Sequence, residues 1–330
     1  MIEPRIPEVP QGAHRRIASG PPRTSARLTS VVGRLCSAAE SRDGGERARF
    51  GAYPPPSPGA IEGMLDDLRA LLFPLHFGRT GPAPEVLRQF VERRLDRAHA
   101  VLVEQLEAGL AFSCEHAPGS ARERCRTCDA RAREIADALI ASLPRLREQI
   151  DTDATAAYEG DPAARFLDET LFCYPGVRAI TNHRIAHELE REGVPLVPRM
   201  IAELSHAATG IDLHPGAQIG PSFFIDHGTG VVIGETTVIG ARVRIYQGVT
   251  LGARDVRHDE HGRAARGGAR HPIVEDDVVI YAGATILGRI VIGRGARIGG
   301  NVWLTRSVPP GCQVSQPHYR ARAFEGGSGI

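Results

Sequence analysis

The turn Ile225-Asp226-His227-Gly228-Thr229-Gly230 sets a carboxylate beside an imidazole. Fourteen residues before Asp226 stands another carboxylate, Asp212, in the run Ile211-Asp212-Leu213-His214-Pro215. A carboxylate on one imidazole nitrogen fixes the tautomer and raises the basicity of the other nitrogen, as removal of a proton from an alcohol requires. The alternative is a pair of solvated turn residues. Farther on, a stretch rich in Gly, Arg and His, Arg254 to Arg270, leads into Arg270-His271-Pro272. Long loops inside a compact domain are more often functional than incidental. A separate cluster, Cys114, His116, Cys125 and Cys128, spells C-x-H-x8-C-x2-C and offers four ligands suited to zinc. Its flanks read as helical and its spacing matches no zinc motif, so no metal site is assigned. Cys36, Cys173 and Cys312 are scattered and imply no disulfide framework.

The elements that must position Asp212 and His227 follow from a six-residue period. An aliphatic residue recurs at Leu213, Ile219, Ile225, Ile233, Ile239, Ile245 and Leu251, then at Val274, Ile280, Ile286, Ile292, Ile298 and Leu304. Six fits neither the helical nor the strand period. It fits a left-handed parallel β-helix, in which three short strand-and-turn units close a triangular coil of about eighteen residues. Asp212 and His227 then lie roughly one coil apart, and the same part of the prism wall can bring them together. Upstream, Ile61, Met64, Leu65, Leu68, Leu71 and Leu72 share one face at helical spacing. Further helices are expected near 84–111, 121–149, 163–173, 177–192 and 196–208, with prolines at or near the breaks. The fold class expected is α+β: a disordered tail over 1–58, an α-helical domain over 59–210, a left-handed β-helix over 211–312, and a flexible tail over 313–330.

Composition narrows the chemistry. All 40 basic residues are arginine, because the chain has no lysine. That removes the P-loop lysine and the Schiff-base lysine of pyridoxal-phosphate enzymes. A formal charge of +1 gives no reason to expect a nucleic acid or anionic membrane partner. There is neither an apolar run of about 18 residues nor a secretory leader, so a cytoplasmic location is expected.

The run Asp212-Leu-His-Pro-Gly-Ala-Gln-Ile-Gly220, the run Ile225-Asp-His-Gly-Thr-Gly-Val-Val-Ile-Gly-Glu-Thr236, then Gln247-Gly-Val-Thr-Leu-Gly252 and Arg270-His-Pro272, closely resembles serine O-acetyltransferase. The resemblance spans about 160 to 311. It implies transfer of acetyl from the cosubstrate acetyl-CoA to L-serine, giving O-acetylserine for cysteine biosynthesis. By the same resemblance His227 is the general base and Asp212 its orienting partner. Asp161 and Asp226 hold the substrate ammonium, Arg270 holds its carboxylate, and His271 completes the clamp. Two anions for one end and a guanidinium fork for the other suit a zwitterion. Gly252, Ala253, Ala282 and Gly283 match positions along the pantetheine arm, and Arg297 a basic position near the nucleotide phosphates; ordinary turn chemistry is the other reading of the Gly and Ala residues. The resemblance also implies a homotrimer or a dimer of trimers, since the active site needs two neighbouring β-helices.

The chain ends Gly326-Gly-Ser-Gly-Ile330. In the family such a tail inserts into O-acetylserine sulfhydrylase, which makes Ile330 a candidate anchor. The rival readings are another β-helical transferase, a γ-carbonic anhydrase and a silent scaffold. The first does not need Asp161 together with Arg270 and His271. The second needs histidines in strand register, whereas His258 and His261 sit in the excursion.

Overall fold

Helix-forming composition comes first along the chain, and the six-residue repeat follows it. A computed structural model describes residues 26–40, 54–78, 83–116, 127–255, 260, 262 and 267–316. The chain divides into two units, 1–49 and 50–330. In the first, Ala26–Glu40 forms helix α1, where disorder was expected. Its fifteen residues include one glycine and no proline, and Ala, Leu and Arg favour the helix. Residues 41–53 lie outside the described residues.

The second unit opens with α2 (Pro58–Leu72), α3 (Pro74–Phe77), α4 (Pro84–His116), α5 (Cys128–Gly160), α6 (Leu167–Cys173), α7 (Pro175–Arg191) and α8 (Val197–Thr209). Ser57 caps α2, its Oγ accepting from Ala60 N–H at 3.4 Å, and Pro58 fills the first turn where no amide is needed. The apolar face of α2 packs with Leu102 and Leu106 of α4 and with Leu139, Leu146 and Ile150 of α5 in one buried core. Helix α5 runs to Gly160 rather than ending near 149, because its last turns are buried. There Asp153, fully enclosed, accepts two bonds from Arg184 of α7 at 2.7 and 2.8 Å and one from Phe223 N–H at 2.9 Å.

Downstream, among the described residues, the chain winds through fourteen strands of two or three residues: β1 (Asp212–Leu213), β2 (Gln218–Ile219), β3 (Phe224–Ile225), β4 (Val232–Ile233), β5 (Val238–Ile239), β6 (Arg244–Ile245), β7 (Thr250–Gly252), β8 (Ile273–Val274), β9 (Val279–Ile280), β10 (Thr285–Leu287), β11 (Val291–Ile292), β12 (Arg297–Ile298), β13 (Trp303–Leu304) and β14 (Gln313–Val314). All pairings are parallel, and they build three faces of a left-handed prism. Face A is β1-β4-β7-β10-β13, face B is β2-β5-β8-β11, and face C is β3-β6-β9-β12-β14. The thirteen aliphatic residues of the repeat occupy the second position of β1 to β13, and all but Ile219 and Leu304 are buried. Each fully buried aliphatic contributes about 1.5–3 kcal/mol, so these internal ladders, rather than two-residue strands, hold the coil. The last strand carries the prism two residues beyond the expected end at Cys312.

Candidate active site

The repeat breaks where His227 sits. Pairing of β1 with β4 joins Asp212 to Val232, a shift of 20 residues, whereas β4 to β7 joins Val232 to Thr250, a shift of 18. The two extra residues swell the corner between faces C and A. His227 holds a left-handed backbone, φ 57°, followed by Gly228 at 90° and Gly230 at 79°. Gly228 lies against Ile211, where a Cβ would come within 2.4 Å of Ile211 Cδ1, so only glycine fits. This seats the corner on the residue before Asp212. The His227 side chain is 72% exposed, with Nε2 3.8 Å from Asp226 Oδ1. Within one chain no hydrogen bond or ion pair joins Asp212 to His227; Asp212 instead lies within the field of His214.

Asp161 ends α5 and faces the same corner. Its carboxylate accepts from the Tyr174 hydroxyl on Oδ2 and from Ala163 N–H on Oδ1 at 2.8 Å. The Tyr174 bond first, then the Ala163 bond, hold its pKa below the usual carboxylate value, and the nearby His227 adds to this. The same bond pushes the Tyr174 hydroxyl up, so it stays a donor. Asp161 is thereby a fixed anion, with Asp226 also in the field of Tyr174.

A second constellation occupies the corner between faces A and B. Arg270 Nη2 donates to Glu235 Oε2 at 2.6 Å, while Arg270 Nη1 is buried and has no partner among the described residues. Burial raises the Glu235 carboxyl, but the bond and charge of Arg270 outweigh it and hold it low. Thr236 Oγ1 accepts from the N–H groups of Arg270 and His271 at 2.9 and 3.1 Å. His271 is 6% exposed, and burial, then the Arg270 charge, push its pKa down to about 4. It is therefore neutral near pH 7. Its Nδ1 lies 3.0 Å from Thr236 N–H and accepts from it, so the ring proton resides on Nε2. The ring rests on Gly234, where a Cβ would fall 2.2 Å from Nε2.

The expected pantetheine positions divide in the same way. Gly252 ends β7 opposite Leu287 of β10, and Ala253 follows it at the A/B corner. Ala282 and Gly283 turn the C/A corner below His227, Gly283 at φ 70°. Arg297 points outward from face C, exposed, in register with Val279 just before that corner. Sequence reading overlooked Tyr174, Glu235 and Thr236. Elsewhere the Sγ atoms of Cys114 and Cys128 approach to 3.7 Å. Cys125, the His116 side chain, His258, His261 and residues 317–330 with Ile330 lie outside the described residues.

The family model described as bacterial transferase hexapeptide (six repeats) matches residues 271–306. Across 279 residues the chain is 53% identical to a serine acetyltransferase, plasmid, of Synechococcus elongatus, covering 84% of this chain and 87% of that one. The chain belongs to the serine acetyltransferase family. It is thus an acyltransferase. Another serine acetyltransferase, from Mycobacterium tuberculosis, is 51% identical over 162 residues, 49% of this chain and 67% of that one. Among solved structures, serine acetyltransferase 1 of Entamoeba histolytica in complex with L-cysteine superposes with a TM-score of 0.67 at 34% identity, covering 87% and 98% of the two chains. The Neisseria gonorrhoeae serine acetyltransferase in complex with serine gives 0.50 at 31%, covering 77% and 95%. No described helix is long and apolar enough to cross a membrane.

Proposed function

We propose that the chain transfers the acetyl group of acetyl-CoA to the hydroxyl of L-serine, in a site shared by two neighbouring copies. The observation that carries this reading is the division of the site residues. The base His227, the anions Asp161 and Asp226, and the small residues Ala282 and Gly283 occupy the C/A corner. Arg270, His271, Gly252 and Ala253 occupy the A/B corner, across face A of the same prism. A zwitterion needs both ends held, so one chain's C/A corner must meet another's A/B corner. Face A leaves apolar surface for such contact, with Val232 38% and Trp303 69% exposed. A homotrimer meets this requirement with three equivalent sites; two trimers back to back would preserve them.

In that site Asp161 and Asp226 hold the serine ammonium. Arg270 receives the carboxylate through its unpartnered Nη1, Glu235 keeping its other arm in place. His227 takes the hydroxyl proton, and the serine oxygen bonds to the thioester carbonyl carbon. The carbon–sulfur bond then breaks and the proton passes from His227 to the departing CoA sulfur. Asp212, on the strand beneath the corner, orients and polarises the imidazole as it closes on substrate. No acyl-enzyme forms; positioning and electrostatics carry the rate. Along the same corners Gly252, Ala253, Ala282 and Gly283 admit the pantetheine arm, and Arg297 serves a phosphate of the nucleotide.

The serine complex of the Neisseria relative supports the acceptor. The test is thiol release from acetyl-CoA with L-serine, L-homoserine, L-threonine or galactose. Serine alone should support rapid release; faster release with another acceptor would overturn the substrate. Product of this kind feeds cysteine synthesis in the cytoplasm, where the enzyme is placed by this reading. The terminal Ile330 is proposed to anchor in O-acetylserine sulfhydrylase. Deleting it should abolish co-purification, and unchanged association would contradict it.

A further inference from the structure

Behind Tyr174, between α2, α3, α6, α7 and the end of α8, lies a cavity of about 260 Å³. Among the described residues, none of Asp161, Asp226, His227, Arg270 and His271 lines it, and neither does any carboxylate. Two arginines do, Arg69 and Arg178. Arg178 is half-buried, its Nε is enclosed, and among the described residues its side chain has no hydrogen-bond or ion-pair partner. Arg69 meets Asp66 near the surface, but its Nε is also enclosed and unpartnered. Three aromatic rings, Phe73, Phe77 and Phe172, also line it. Phe73 is buried, and Phe77 meets Phe172 edge-on at 5.6 Å.

A partly buried cation without a counter-charge is unfavourable, and a second cation in the same cavity adds repulsion. An anion answers both, and an apolar body answers the aromatic rings. We propose that this cavity binds a small amphiphilic anion, its oxyanion head on Arg69 and Arg178 and its apolar body against Phe73, Phe77 and Phe172. Tyr174 lines the cavity and donates to Asp161. Occupancy is thereby coupled to the ammonium end of the serine site, and a bound anion shifts the KM for serine more than kcat.

The proposal is tested on the full chain by titration calorimetry, without turnover, so it stands or falls apart from the acetyltransferase reading. Benzoate and phenyl phosphate serve as probes, with neutral benzamide and inorganic phosphate as controls. One saturable site per chain is expected for at least one of the two amphiphilic anions, the carboxylate and the phosphate distinguishing the head group. Benzamide and inorganic phosphate should each bind about tenfold more weakly or worse, because each lacks one half of the recognition. Arg178→Met should weaken the anion by about tenfold or more, while Arg178→Lys retains most binding. Without ligand, Arg178→Met should melt no lower than wild type, since it removes an uncompensated charge. Equal binding of benzoate and benzamide, binding unchanged by Arg178→Met, or no saturation by either anion would overturn the assignment.

Discussion

Tyr174 contributes one hydroxyl, and that hydroxyl is the largest cause of the low Asp161 pKa. Removing it in Tyr174→Phe takes that cause away. The carboxylate then protonates at higher pH, and the acid limb of serine binding moves up. We expect KM for serine to rise about three- to tenfold on that limb with little change in kcat. Steady-state kinetics across pH read this directly, and an unmoved limb would contradict it. At the other corner, Gly234→Ala drives a methyl into the His271 ring. With His271 in the substrate clamp, as proposed above, its displacement should raise KM for serine with the fold intact, measured by kinetics beside a melting curve. The His227 corner was legible because Asp226 and His227 put two ionisable side chains in a turn of the repeat. Tyr174 was not, since a single aromatic at the junction of α6 and α7 has no periodic signature. Glu235 stood in a quoted motif, but a turn carboxylate reads as solvated until Arg270 is seen to bind it.

Among the elements, α5 and α7 are tied to the first coil by a single buried network. Arg184 pairs with Asp153, and its Nη1 and Nη2 also donate to the carbonyls of Ile219 and Gly220 at 3.2 and 2.9 Å. Removing one partner strands a buried charge, so Arg184→Met should cost about 3–5 kcal/mol in denaturant unfolding. Asp153→Leu combined with Arg184→Met should cost less than that single change, because no lone charge remains. A double variant worse than both singles would contradict this. The ladders were readable residue by residue, since each aliphatic fills the inward position of its strand. The overrun of α5 to Gly160 was hidden because Asp151, Thr152, Asp153 and Thr155 read as a helix end. Tertiary burial of Asp153 overrides that local preference, and the threonine hydroxyls of Thr152 and Thr155 bond back to Gln149 and Asp151 carbonyls at 2.7 and 2.8 Å.

For the whole molecule, acid is the first stress to matter. Burial is the largest cause of the low pKa values of His183, His214 and His271. Each folded pKa lies below the unfolded value, so their contribution is complete above about pH 6.5 and is lost as the pH falls toward about 4. Glu190 and Asp153, both pushed up by burial, work the other way, two groups against three. The melting temperature should therefore fall across that window, and a flat profile would contradict the burial of these rings. The proposed sharing of the site between two prism corners of neighbouring copies also belongs to this scale. It was only partly legible, because the six-residue period assigns residues to faces but not to neighbouring copies. The most direct measurement unfolds and refolds His227→Ala and Arg270→Ala chains together in equal amounts and follows serine-dependent CoA release. Each variant alone should be reduced by about 10²-fold or more. In mixed trimers, one site in about four combines an intact C/A corner with an intact A/B corner, so about a quarter of wild-type activity should return. Recovery no greater than that of the separate variants would contradict a site shared between chains.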